Sequence, residues 1–229
     1  MADPSTQALS TTVRVWPLFG RTLLLWICGV FVIPLPWAAT SFLRWFVGQI
    51  ELPQQQRASF AGKAGDIWYA FILYMLCVYG LAAASLLAPD SEESALASLI
   101  INLVHLLVLP VTTLFVLIVT RWFFANLVWE GRSAPLQFTG GYWALLGWSI
   151  LAPLSFITII GWAWVYTAWG RWLCRNVKGS ARQLVFTASG WSFLWRTIAY
   201  VLSALFVIPI PWTYRWYIRW LVSRFALTT

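Results

Sequence analysis

Acidic side chains are scarce in this sequence: seven Asp and Glu in 229 residues, with all charged residues together making 10% of the chain. With 61% hydrophobic residues beside them, too little polar surface remains to keep a water-soluble globule apart from its neighbours. A soluble enzyme, a free DNA-binding domain and a disordered tail are thereby excluded. Histidine occurs once, as His105, and cysteine three times, as Cys28, Cys77 and Cys174. Cysteines so far apart, with one histidine, assemble no zinc cluster and read as packing residues. There is no Asn-x-Ser/Thr acceptor, no Gly-rich phosphate loop and no haem-attachment motif. Paired acid/base carboxylates and a Ser-His-Asp arrangement are equally unsupported. The chain therefore reads as a non-enzyme with no cofactor and no metal.

What is abundant is aromatic and apolar: 18 Trp, 15 Phe and 8 Tyr, with a mean hydropathy of +0.75. That composition belongs to an integral membrane protein. The net charge of +8 comes from 15 basic residues, which would normally raise nucleic acid as a partner. Here Arg is interleaved with Trp and Tyr at the ends of apolar runs. Its planar fork matches phosphate and its stem can snorkel, so anionic phospholipid is the expected partner and nucleic acid is not.

Five apolar runs stand out, at 22–43, 67–88, 95–120, 142–168 and 197–212 with an aromatic extension to Leu227. Pro89 to Ser94 joins the second and third through a short acidic loop around Asp90, which defines a helical hairpin. The string Phe31-Val32-Ile33-Pro34-Leu35-Pro36-Trp37 recurs 175 residues later as Phe206 to Trp212. At the same offset Trp16 matches Trp191, Arg21-Thr22 matches Arg196-Thr197, and Arg44-Trp45 matches Arg219-Trp220. An offset of 48 relates Phe138-Thr139-Gly140 to Phe186-Thr187-Ala188, Trp164 to Trp212 and Arg171-Trp172 to Arg219-Trp220.

These matches predict an all-α polytopic membrane protein of four tandem helix-break-helix modules with short cytoplasmic β-hairpin or loop elements. The expected boundaries are a polar N-terminal tail over 1–13, then modules at 14–56, 57–133, 134–181 and 182–229. Pro34, Pro36, Gly161, Pro209 and Pro211 mark the breaks, because proline within a helix loses a hydrogen bond and clashes with the preceding turn. The leaders Trp129 to Gly140 and Asn176 to Ala188 centre on Gly-bearing turns and suggest β-hairpins. Arg and Lys gather at module boundaries and avoid the breaks, so boundaries and both termini are expected to be cytoplasmic, with the Asp90 loop outside. Length strains this scheme. Trp37 to Arg44 rises only about 10 Å at about 1.5 Å per residue, so the hairpins of modules one, three and four are re-entrant, tilted or extended by snorkelling. The basic start and short apolar stretch also fit a signal peptide, against which stands the near-copy at the C-terminus.

In the last helix Trp212, Trp216 and Trp220 recur at i, i+4 and i+8 beside Arg215 and Arg219. Two arginines one turn apart repel unless an anion lies between them, and a lipid phosphate is the available anion. Arg44, Arg171, Arg215 and Arg219 with the three tryptophans are therefore the candidate lipid-headgroup residues. The other reading is an interfacial aromatic belt with solvated arginines. His105, in the long apolar run, is a possible intramembrane polar site, either a hydrogen-bonded structural histidine or a gating or proton-relay group.

The Phe-x-Gly leader, the Trp-bearing apolar helix, Thr158-Ile159-Ile160-Gly161-Trp162-Ala163-Trp164 and the terminal Arg171-Trp172 resemble the YjgN-like family of bacterial inner-membrane proteins. The likeness centres on Leu136 to Asn176 and departs from the family pattern in carrying Arg-Trp for Arg-Tyr and an acidic insertion in module two. It implies residence in the bacterial inner membrane and transfers no catalytic residue. The expected function is a non-enzymatic component of a larger membrane assembly, packed against lipid and partner helices or its own copies. The alternative is a small oligomeric transporter or channel lined by the broken helices. A weaker third possibility is a lipid enzyme using His105.

Overall fold

The computed structural model describes residues 6–53, 57–87, 95–128, 136–179, 182–206 and 208–228, without the side chains of residues 6, 84–87 and 95–107. The Asp90 loop therefore lies outside the described residues, as does the His105 side chain, although His105 itself falls within a helix.

The described chain is mostly helical. Helices come in pairs: α1 (Val15–Val30) with α2 (Leu35–Val47), α3 (Trp68–Leu87) with α4 (Ala95–Ala125), α5 (Tyr142–Leu154) with α6 (Trp162–Arg175), and α7 (Gly190–Ala204) with α8 (Ile210–Val222). Each helix packs on its successor, and α8 packs on α1, so the circuit closes. The sequences of α3 and α4 are apolar on every side. The α4 window Val108–Ala125, with mean hydropathy 1.9 and only 11% buried, is the one described segment long and apolar enough to cross a membrane.

Among the described residues nine short strands punctuate the helices: β1 (Thr6–Ala8), β2 (Ser10–Thr11), β3 (Ile50–Glu51), β4 (Ser59–Phe60), β5 (Leu127–Val128), β6 (Gln137–Phe138), β7 (Val177–Lys178), β8 (Leu184–Phe186) and β9 (Phe225–Thr228). The strand before each helix pair binds the strand after it, all antiparallel: β2 with β3, β4 with β5, β6 with β7, and β8 with β9. β1 adds to the free edge of β9 and ties the two ends of the chain together.

Two expectations change here. The leaders do carry strands, yet β7 pairs back to β6 and β8 forward to β9, so no hairpin forms across Lys178-Gly179. The physical reason is that a helix pair already brings its flanking segments side by side, whereas a two-residue strand gains little from its loop neighbour. The stretch read as a polar tail over 1–13 contains β1 and β2, and the aromatic extension beyond the last helix ends as strand β9.

The breaks fall slightly ahead of the expected residues. Val32 and Ile159 hold φ of 58° and 60°, with the Ile33 amide donating to the Phe31 carbonyl and the Ile160 amide to the Thr158 carbonyl. These are three-residue γ-turns of the rarer hand, unusual for β-branched residues. Pro34, Gly161 and Pro209 then cap the N-termini of α2, α6 and α8, and Pro36 and Pro211 sit in the first turn, where a missing N–H breaks no helical bond.

Burial is concentrated at the strand end. Leu9, Val47, Leu52, Phe60, Leu136, Val222 and Leu227 form one core cluster drawn from all four helix units. The break end is the reverse: Phe31, Ile33, Ile157, Phe206 and Leu205 are exposed, and Ile159 and Ile208 reach 80% and 82% exposure.

Candidate lipid-headgroup site

Arginines stitch one helix unit to the next. Arg44 Nη2 donates to the Gly62 carbonyl at 3.0 Å, Arg121 Nη2 to Gly140 at 3.4 Å, Arg171 Nη2 to Ala188 at 3.3 Å, and Arg215 Nε to Val13 at 2.8 Å. The four acceptors occupy one repeat position, two residues beyond Phe60, Phe138, Phe186 and Thr11. Of the expected headgroup arginines, Arg44, Arg171 and Arg215 thus commit one arm to backbone and keep their remaining N–H groups. Arg121, outside the expected set, does the same.

The Phe-x-Gly leaders have a packing cause. Phe60 meets Trp122 edge-on with ring centroids 5.1 Å apart, and Phe138 meets Trp172 at 5.8 Å. A Cβ on Gly62 would lie 2.8 Å from Trp122 and one on Gly140 2.9 Å from Trp172, each also colliding with its own Phe ring. Only glycine leaves room for the Phe–Trp pair.

At the fourth junction the pattern shifts. The repeat equivalent of Arg44 is Arg219, but the bond to the next unit is made by Arg215, one turn earlier. Arg219 is left exposed, on the rim of a cavity of about 460 Å³ that also takes in Arg196, Arg215 and Arg224, with Trp212, Trp216 and Trp220 as its aromatic wall. The Arg196 guanidinium carbon stands 4.7, 4.9 and 5.0 Å from the ring centroids of Trp195, Trp216 and Trp220, and that of Arg224 lies 5.8 Å from Trp220. Stacking on aromatic faces supports a cation but leaves its in-plane N–H groups free. The Nε of Arg196 and of Arg224 are both buried with no hydrogen-bond partner. No carboxylate lines the cavity.

The structure therefore gathers the expected Arg215, Arg219, Trp212, Trp216 and Trp220, and adds two residues that the reading of one helix missed. Arg196 belongs to α7 and Arg224 follows α8, so neither shares the stripe. The repeat carried a signal for the first: Arg21, its equivalent, stands 4.9 Å over Trp45, the equivalent of Trp220.

Arg44 and Arg171 lie elsewhere. Arg44 shares a cavity of about 290 Å³ with Trp37, Thr40 and Lys63, at the repeat position of the larger one. Arg171 borders a cavity of about 390 Å³ with Arg175 and Lys178. Between α2, α4 and α8 is a third space, about 380 Å³, walled by Phe42, Phe46, Phe123, Phe124 and Ile218. Pro34, Gly161 and Pro209 are absent from its wall.

Nearby carboxylates take local partners. Glu51 accepts from Ser10 Oγ at 3.0 Å, and Asp66 accepts the Lys63 backbone amide at 3.3 Å instead of pairing with a cationic head. Cys174, on the last turn of α6 at the strand end, is buried, and burial pushes its thiol up to about 12. It is a packing residue with little thiolate to offer as a nucleophile.

Comparison with known protein families, curated proteins and solved structures returns no match to this chain.

Proposed function

We propose that the protein is a non-enzymatic component of a bacterial inner-membrane assembly, anchored by four helix pairs and by anionic phospholipid headgroups. The observation that carries this reading is polarity between the two ends of the helix pairs. The break ends expose Phe, Ile and Leu where water would favour polar turns, while the strand ends hold the arginines. A surface of that kind is stable when the tips lie in hydrocarbon and the guanidiniums at phosphate level.

The proposed depth of each pair follows its length. α3 and α4, of 20 and 31 residues, rise about 30 Å or more at about 1.5 Å per residue, enough for this pair to cross the bilayer in the proposed arrangement. The other three pairs, with helices of 13 to 16 residues, rise only about 20 to 24 Å and re-enter from the side they left. The basic strand ends and both termini face the cytoplasm by the bias of Lys and Arg. The exposed apolar surface is available to partner helices or to further copies of the chain.

Single cysteines placed at Ser59 and at Ile208 in a cysteine-free background test this in intact cells and inverted vesicles. A membrane-impermeant maleimide should label Ser59→Cys only in inverted vesicles and Ile208→Cys in neither. Labelling of Ile208→Cys from either side, or a chain that stays monodisperse without detergent, would overturn the reading. The apolar cavity between α2, α4 and α8 has no break residue in its wall, which speaks against the alternative, a small transporter or channel lined by the broken helices; labelling of Gly161→Cys by an aqueous reagent would support that alternative instead.

A further inference from the structure

We infer that the cavity at the closing junction takes a lipid headgroup bearing two phosphates, in preference to the single phosphodiester of an ordinary anionic lipid. This rests on the lipid reading above and narrows it to one site and one headgroup class.

Arg196, Arg215, Arg219 and Arg224 border one cavity with no carboxylate among them. Like charges in so small a space repel, and the cost falls when an anion stands between them. One phosphodiester carries a single negative charge and would leave three guanidiniums uncompensated. Two phosphates in one headgroup present twice the charge and more acceptor oxygens, matching the planar forks of arginine in pairs.

The buried Nε–H groups of Arg196 and Arg224 have no acceptor among the described residues. A buried donor is normally bonded, and its absence of a partner points to an acceptor supplied from outside. Arg196 cannot turn away to find one, because Trp195, Trp216 and Trp220 hold its guanidinium face at 4.7 to 5.0 Å.

The repeat is broken at this junction. At the other three junctions the arginine of the Arg-Trp pair binds the next unit. Here Arg215 does so in its place, which leaves Arg219 at the cavity rim. Trp212 and Trp216 stand partly exposed beside it, in the manner of aromatic residues at the headgroup level. The ligand is accordingly a lipid whose phosphates enter the cavity while its chains remain in the bilayer.

The test uses the full chain in detergent micelles with defined lipids, read by native mass spectrometry. Cardiolipin, with two phosphates, should be retained at least about tenfold better than dioleoylphosphatidylglycerol at equal phosphate. Arg196→Gln with Arg224→Gln should remove that preference, while Arg57→Gln, which removes one charge from an exposed residue at another place, should keep it. The wild-type competition needs no variant, so a misfolded double mutant does not decide the matter. Equal retention of the two lipids would overturn the two-phosphate assignment while leaving headgroup binding in place; retention of neither would overturn the underlying lipid reading. Displacement of cardiolipin by inorganic pyrophosphate at equal concentration would show a site for a soluble diphosphate and overturn the lipid assignment.

Discussion

The Nε–H of Arg215 donates to the carbonyl of Val13 at 2.8 Å, joining residues 202 positions apart in the chain. Together with β1 on the edge of β9, this bond closes the circuit of helices. A charged donor to a buried carbonyl contributes about 1.5–3 kcal/mol. Arg215→Gln should therefore lower the thermal midpoint of the detergent-solubilised protein measurably, by the loss of about 2 kcal/mol. Arg219→Gln, at an exposed position on the same helix, should leave the midpoint within error. Equal shifts from the two would show that the Val13 contact has no special part in closure.

Much of this architecture was legible because a repeat transmits more than a pattern of hydrophobicity. The 175-residue offset places Arg21 with Trp45 and Arg196 with Trp220, and both pairs form cation–π contacts. With the 48-residue offset it also aligns the breaks, although proline and glycine stand at Pro34 and Gly161 while the chain turns at Val32 and Ile159. The strand pairing was hidden for a physical reason. Ser10 finds Glu51 and Ser59 finds Val128, and strands this short have no local signal that identifies partners so distant. Arg196 and Arg224 were missed because convergence of two elements on one cavity leaves no mark in the periodicity of either.

Glycine at the leaders is required by space. In Gly62→Ala and Gly140→Ala the new methyl must displace a Phe ring already packed against Trp122 or Trp172, so each should destabilise by about 1–3 kcal/mol. Gly147, within α5 and open around its Cα, provides the contrast: Gly147→Ala should stabilise by up to about 1 kcal/mol through helix propensity. Thermal midpoints of the three variants in one detergent check the sign. A neutral result at Gly62 and Gly140 would mean that the Phe–Trp pairs yield without cost.

Cys174 should resist thiol reagents in the folded protein. Only the thiolate reacts, and burial pushes this group from 9.0 up to about 12. A raised thiol pKa means that the unfolded chain loses its proton first as pH rises, so stability present below about pH 9 declines as pH climbs towards about 12. Maleimide labelling of a variant retaining Cys174 as its sole cysteine should be absent at pH 7.5 and complete after denaturation. Rapid labelling of the native protein would show that the strand end opens.

The exposed tips distinguish a membrane protein from a soluble one by the sign of a single substitution. In water, replacing an apolar residue that is 82% exposed, as Ile208 is, by Asp would be harmless or would improve solubility. In hydrocarbon the same change costs about 2.5–3.5 kcal/mol at the centre of the bilayer, and a re-entrant tip cannot snorkel as a helix end can. Ile208→Asp and Ile33→Asp should therefore reduce the depth at which brominated lipids quench the nearby tryptophans. Ser59→Asp, an exposed change at the strand end, should leave the quenching unaltered. If the tip variants keep unchanged quenching, the break ends do not lie in hydrocarbon, and the depth assigned to three of the four helix pairs fails with them.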